Sequence, residues 1–287
     1  MKLFLMAARP KTLPASLVPP IVTFAFLTYE GLKGDYILLI CILLCSLFIQ
    51  FATNFFNDVI DYKKGADDNE RLGPTRVTSS GLVQPKTVMK WAFISVFIAV
   101  IFGIPLMLKG GIPILVLGLL SLYLTYGYTG GKVSLAYRGL GELFVFLFFG
   151  LLSVVGTYYL LSEKINGSIF ILGSVFGLLN TTLICINNLR DRDQDQRKNK
   201  LTLATRMTRT SYQFFIVTTI LVPYLLMTFL LPLNLRLLFF LAPFAFSLFL
   251  IVMVFKKKNA ELNSVLAMAG GHLLLFGLTS TCVLFFQ

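Results

Sequence analysis

Asn54-Phe-Phe-Asn57-Asp58-Val-Ile-Asp61 and, 133 residues further on, Asn187-Asn188-Leu-Arg190-Asp191-Arg192-Asp193-Gln-Asp195 are the two stretches on which the reading of this chain turns. Each holds an Asn-x-x-x-Asp core, Asn57 to Asp61 and Asn187 to Asp191, at the end of an apolar run. Charge is expensive at the edge of a hydrophobic segment unless it is used. In helical geometry Asn54, Asn57, Asp58 and Asp61 fall at i, i+3, i+4 and i+7, on one face, and Asn187, Asp191 and Asp195 stack likewise.

Around these clusters the chain is greasy. Of 287 residues, 56% are hydrophobic and 13% charged, which places it among integral membrane proteins. A crossing helix needs about 20 apolar residues, and nine runs qualify: about 12–30, 36–56, 88–108, 111–129, 139–161, 167–187, 211–232, 236–255 and 264–286. None alternates as a β-barrel strand would. The expectation is an all-α integral membrane protein, one polytopic domain over 1–287, with nine transmembrane helices bundled around a central apolar chamber. Long loops are expected at about 57–87 and 188–210. Because both follow even-numbered spans and open with the same core, two related sub-bundles facing each other are expected.

The net charge of +12 suggests nucleic acid until its distribution is read. When the N-terminus and every second loop are placed on one side, that side holds 21 of the 25 Lys and Arg residues. The excess is topological, and by the positive-inside rule the basic side is cytoplasmic. The N-terminus and both aspartate clusters lie on it, so the expectation is a multi-pass protein of the cytoplasmic (inner) membrane, with the bilayer and no nucleic acid as partner. Cys41, Cys45, Cys185 and Cys282 read as packing residues and His272 as a hydrogen-bonded helix residue. Gly173-x-x-x-Gly177 reads as a helix-packing motif.

Crowded carboxylates repel unless a cation neutralises them, and hard oxygen donors of this type suit magnesium completed by substrate phosphates. Arg71, Arg76, Arg190, Arg192, Lys198, Lys200 and Arg206 near the carboxylates supply the rest of a diphosphate site. A diphosphate site opening into an apolar chamber implies an amphiphile such as a polyprenyl diphosphate. A dry chamber also protects an allylic cation.

The chain resembles the UbiA-type intramembrane aromatic prenyltransferases, whose motifs take the forms Asn-Asp-x-x-Asp-x-x-x-Asp and Asp-x-x-x-Asp. The second matches at Asp191-x-x-x-Asp195. The first matches at Asn57-Asp58-x-x-Asp61, but position 65 is Gly and the next carboxylate is Asp67. That displacement is similar to the 1,4-dihydroxy-2-naphthoate polyprenyltransferase branch, as are Arg9-Pro-Lys-Thr-Leu-Pro14, Arg71-x-Gly73-Pro74-x-Arg76, Ala136-Tyr-Arg-Gly-Leu-Gly-Glu142 and Lys200-x-Thr202-Leu203-Ala204-x-Arg206.

The resemblance implies Mg2+-dependent transfer of a polyprenyl group from its diphosphate to 1,4-dihydroxy-2-naphthoate, with decarboxylation, giving demethylmenaquinone. It implies Asn57, Asp58, Asp61, Asp67, Asp191 and Asp195 as the catalytic set, the five aspartates among them as metal ligands. For substrate binding the candidates are Arg9, Asn54, Arg71, Arg76, Tyr128, Lys132, Arg138, Asn187, Asn188, Arg190, Lys200 and Arg206, with Arg9 proposed for the acceptor carboxylate. Another aromatic acceptor, 4-hydroxybenzoate or a futalosine-route naphthoate, is the alternative, and a secondary transporter the distant one. Glu142 reads equally as a positioner of a basic residue or as a structural hydrogen-bonding group.

Overall fold

The computed structural model describes residues 2–65, 72–127, 129–130, 138–231 and 235–285, with backbone only at 235–237. The expected positions Asp67, Arg71, Tyr128 and Lys132 lie outside the described residues. All regular structure among the described residues is helical: α1 (Lys2–Ala8), α2 (Pro14–Tyr29), α3 (Tyr36–Lys63), α4 (Pro85–Gly127), α5 (Gly141–Ser162), α6 (Gly167–Arg197), α7 (Leu203–Arg206), α8 (Arg209–Met227), α9 (Leu241–Lys256) and α10 (Leu262–Phe285).

Local chemistry sets the helix starts. The Asp35 carboxylate accepts from Ile37 N and Leu38 N at 2.7 and 3.2 Å, Asn166 Oδ1 from Ile169 N at 3.0 Å, and Thr208 Oγ1 from Ser211 N at 3.1 Å. Each satisfies donors that a first helical turn leaves unpaired.

α4 is two spans in one run. Gly111 has φ 63° and ψ −149°, a conformation open to glycine and strained for other residues. Phe93, before this break, and Tyr126, after it, both stack edge-on against Phe56, with centroids 5.6 and 5.8 Å away. In an unbroken helix the two rings would stand about 50 Å apart, so the chain reverses at Gly111. Counting the arms 85–110 and 112–127 separately, nine apolar helices fill the nine expected places among the described residues.

The connection between α3 and α4, 64–84, is long as expected, but both loops start later than expected, and the second shrinks to 198–208 and contains α7. α3 runs to Lys63 and α6 to Arg197, seven and ten residues beyond the apolar runs. At 1.5 Å per residue the helices carry their aspartate clusters about 10–15 Å past the apolar segment. The clusters therefore sit on rigid helix ends instead of on turns.

α6 is the central helix: 72% of its apolar window is buried, against 22% for α3 and for α4. It packs with α2, α5, α8, α9 and α10 into one apolar cluster around Phe176, Leu179 and Ile186. α1, α3 and α4 build a second around Phe55 and Val59. Phe93, Phe97, Leu108 and Ile112 are exposed and line neither cavity, an apolar girdle that only lipid covers without cost. This is a multi-pass membrane protein.

Gly173 and Gly177 do mediate packing. A Cβ on Gly177 would stand 2.8 Å from Phe146 O, and one on Gly150 would stand 2.2 Å from Gly177 Cα, so α5 crosses α6 in direct backbone contact. At the crossing α5 widens into a π-helical turn, Leu147–Leu152. Cys41 and Cys185 are buried as packing residues, whereas Cys282 is exposed.

Candidate active site

Two adjoining cavities occupy the space between the sub-bundles. The smaller, about 110 Å³, is polar and lined by Arg9, Asn57, Asp61, Arg76, Thr129, Glu142, Asn187, Asn188, Lys200 and Thr202 among others. At about 30 Å³ per water it has room for a few waters or a small oxyanion. The larger, about 580 Å³, is apolar, with walls from α2, α3, α5, α6 and both arms of α4. Arg9, Asn57, Ile184 and Asn187 line both, so the polar cavity opens directly onto the apolar chamber.

On α3 the expected stripe divides. Asn54 is buried, faces the chamber, and donates from Nδ2 to Ala8 O at 2.9 Å. Asn57 stands at the junction, where its Oδ1 accepts from Thr129 Oγ1 at 2.5 Å. Asp61, one turn further, lines the polar cavity and accepts from Arg76 Nη2 at 2.7 Å. Asp58 turns away. It is 1% exposed, does not line the polar cavity, and accepts from Thr78 N at 3.1 Å, holding the segment after α3 against the helix.

On α6, Asn187 and Asn188 line the polar cavity opposite Asn57 and Asp61. Thus the first repeat faces this space through Asn57 and Asp61 and the second through Asn187, whereas Asp191 and Asp195, expected as metal ligands, do not line it. The buried Arg190 organises its own motif: Nε and Nη2 grip Asp191 at 2.7 and 2.6 Å, Nη2 also reaches Asn187 Oδ1 at 2.8 Å, and Nη1 donates to Asn263 Oδ1 at 2.8 Å. Bidentate, charge-assisted contacts of this kind are the geometrically specific ones. Asn263 Nδ2 in turn donates to Leu72 O at 2.6 Å, joining α10 to the segment beyond the first motif. Asp195 is buried behind the lining residue Lys200, whose ammonium is 3.3 Å from each carboxylate oxygen.

Arg138 and Arg206 have another place. Arg206 Nη2 donates to Arg138 O at 3.2 Å and its Nε to Leu201 O at 3.3 Å, so they tie two loops and do not line the cavity. Arg9 does line it, and holds a left-handed backbone with φ 53° at the start of a short 3-10 turn. A side-chain-bearing residue held this way costs about 1–2 kcal/mol, the kind of strain that clusters where a side chain must be aimed.

The sequence reading passed over Thr129, Thr202 and the weight of Glu142. Glu142 is 4% exposed; its Oε1 accepts from Asn188 Nδ2 at 2.9 Å and from Tyr212 OH at 2.6 Å, while Oε2 has no partner. Its hydrogen-bond partners are thus neutral side chains. A carboxylate among apolar residues at the start of a span was the available signal. His272 is buried elsewhere, in α10, with Nε2 2.8 Å from Tyr224 OH.

The donors fit magnesium: hard oxygens of Asn57, Asp61 and Asn187 line the cavity, and buried Glu142 Oε2 lacks a partner in its wall. No three carboxylate, His or Cys side chains converge on one point among the described residues. That suits an ion held by one or two carboxylates and completed by substrate phosphates, not by a dedicated protein cage.

The UbiA prenyltransferase family model matches residues 17–277. The chain belongs to the UbiA prenyltransferase family. It is a membrane prenyltransferase. It is 37% identical over 218 residues to 1,4-dihydroxy-2-naphthoate octaprenyltransferase of Haemophilus influenzae, covering 72% of this chain and 70% of the relative. The Escherichia coli protein of the same name is 32% identical over 210 residues, covering 71% and 68%. A UbiA homologue from Archaeoglobus fulgidus, solved with DMAPP and Mg2+ bound, superposes with a TM-score of 0.68 at 13% identity over 99% of both chains. An apo UbiA homologue from Aeropyrum pernix gives 0.70 at 12% identity over 92% and 96%. The fold of this UbiA protein is therefore that of its distant structural relatives, while its sequence is similar to those of bacterial proteins named as naphthoate octaprenyltransferases.

Proposed function

We propose that this UbiA protein transfers a polyprenyl group from polyprenyl diphosphate to 1,4-dihydroxy-2-naphthoate with loss of the ring carboxylate, in magnesium-dependent fashion, at the cytoplasmic face of the inner membrane. The observation that carries the proposal is the junction of the two cavities: Asp61 and the asparagines of both repeats border a polar space that opens at Asn57 and Asn187 onto an apolar chamber. The names of the bacterial relatives support the acceptor.

In this reading Asp61, with Asn57 and Asn187, would hold magnesium, and Asp191, outside the cavity lining, fixes Arg190, whose Nη2 positions Asn187 Oδ1. Magnesium, when bound, supplies the charge neutralisation that lets diphosphate leave. Arg76 and Lys200 bind the phosphate oxygens from opposite walls, adding preorganised positive charge where negative charge develops. The bond from the allylic carbon to the diphosphate oxygen breaks, and its electron pair departs with the diphosphate. The chamber walls keep water from the allylic cation, and the electron-rich ring carbon forms the new carbon–carbon bond. Loss of CO2 returns its bonding pair to the ring and restores aromaticity, leaving the quinol of demethylmenaquinone. Arg9, at the junction, faces the acceptor carboxylate.

The test is an acceptor competition with the purified protein and one polyprenyl diphosphate. The naphthoate is expected to be prenylated in preference to 4-hydroxybenzoate. Exclusive prenylation of 4-hydroxybenzoate would transfer the proposal to that acceptor.

A further inference from the structure

The repeat that places Asn57 opposite Asn187 has a second, deeper tier. Gln50 precedes Asn57 by seven residues, and Asn180 precedes Asn187 by seven. Seven helical residues are two turns, about 10 Å. Both carboxamides line the apolar chamber and are buried, Gln50 at 7% and Asn180 at 1% exposure.

Their orientations are fixed by what their NH2 groups touch. Asn180 Nδ2 donates to Phe149 O at 3.0 Å and to Ala15 O at 3.4 Å. Carbonyls only accept, so the amide cannot be reversed and Oδ1 is turned away from both. Phe149 lies in the π-helical turn of α5, where the ordinary i to i−4 ladder is interrupted, and Asn180 supplies a donor to its carbonyl. Gln50 Nε2 donates to Thr12 Oγ1 at 3.4 Å, and the Thr12 hydrogen is already given to Arg9 O at 2.9 Å. Gln50 Oε1 and Asn180 Oδ1 are left buried without a donor. Unsatisfied acceptors are rare in folded proteins because desolvating them is costly, and two at matching depths in one chamber call for a donor-bearing occupant.

We infer that Gln50 Oε1 and Asn180 Oδ1 accept hydrogen bonds from the ring hydroxyls of the aromatic acceptor, so that this pair selects an aromatic diol. Both side chains rest on the Thr12–Ala15 stretch next to Arg9, which gives an anionic ring substituent a cation on the same side. The inference deepens the acceptor reading above and rests on it.

The experiment compares wild type, Gln50→Met and Asn180→Leu with three acceptors: the dihydroxynaphthoate and each of its two monomethyl ethers. Wild type is expected to favour the diol over each ether by about tenfold or more in kcat/KM, the scale of one neutral hydrogen bond. Each variant is expected to lose discrimination against one ether and keep it against the other, with KM for the polyprenyl diphosphate unchanged. Wild-type discrimination in both variants overturns the inference and leaves the acceptor reading standing. If Asn180→Leu does not accumulate, the shape-matched Gln50→Met decides alone. If wild type prenylates none of the three, the acceptor reading fails, and the pair is then tested by thermal shift under reducing conditions with 1,4-naphthalenediol and 1,4-dimethoxynaphthalene. A larger shift with the diol that disappears in Gln50→Met supports the pair as a hydroxyl site; equal shifts overturn it.

Discussion

Arg76 reaches back across the loop to Asp61, its Nη2 2.7 Å from Oδ2, with 8% and 17% of the two side chains exposed. The pair closes the segment after α3 onto the helix end and forms part of the polar cavity wall. Asp61 is thus held ready by a cation before any substrate arrives, and Asp191 is held in the same manner by Arg190.

Removing that carboxylate should separate activity from folding. Asp61→Asn keeps a hydrogen-bond acceptor for Arg76 but no charge, and turnover is expected to fall about 10²–10³-fold, as for loss of one preorganised electrostatic group. Prenyl transfer normalised to the amount of membrane-inserted protein checks it. Turnover near wild type would take Asp61 out of the reaction.

Glu142 gives a stability prediction. Glu142→Ala strands Asn188 Nδ2 and Tyr212 OH, each buried, at a cost of about 1–3 kcal/mol per group. Glu142→Gln retains an oxygen for both donors and is expected to unfold at nearly the wild-type temperature in detergent. If Ala and Gln unfold together, the hydrogen bonds to Oε1 are not what stabilises this crossing.

Metal removal has a defined outcome. Chelation is expected to abolish prenyl transfer, and excess Mg2+ to restore it in full, because the cavity presents only hard oxygen donors beside Arg and Lys. A rate unaffected by chelator would leave Arg9, Arg76 and Lys200 to neutralise the charge among the described residues.

The helix crossing makes a prediction remote from the site. Gly150→Ala would drive its Cβ to 2.2 Å from Gly177 Cα, a contact with backbone that no rotamer relieves. The yield of folded protein after extraction is expected to drop sharply, whereas Gly167→Ala, whose Cβ meets nothing within 4 Å, should be tolerated. Equal yields would show that the α5–α6 backbone contact yields easily.

Much of this was legible in order of residues alone. The apolar runs count the helices because the bilayer fixes their length, and the break between 108 and 111 was visible in Lys109-Gly110-Gly111. The spacing of Asn57 with Asp61 and of Asn187 with Asp191 made them partners, since helical periodicity puts such residues on one face. Periodicity did not separate Asp58 from Asp61. Both fall on the same stripe, yet one binds Thr78 N and the other lines the cavity, because the loop that returns over α3 lays its backbone on Asp58 and only the Arg76 side chain on Asp61. Arg138 and Arg206 looked like phosphate ligands because charge near a motif is indistinguishable in sequence from charge that ties loops together. Glu142 and the Gln50–Asn180 pair were hidden for the opposite reason: their roles depend on which neighbouring donors exist, and those come from other helices.

Sequence by itself determined the nine membrane helices, the repeated motif and the kind of chemistry, since these follow from hydrophobic length, periodicity and residue type, all properties of one segment at a time. Only the tertiary structure decided which oxygens face the shared cavity, which are spent on structure, and which remain unpaired. Those outcomes depend on hydrogen bonds and contacts of a few ångströms between segments 15 to 191 residues apart, and no local pattern encodes them.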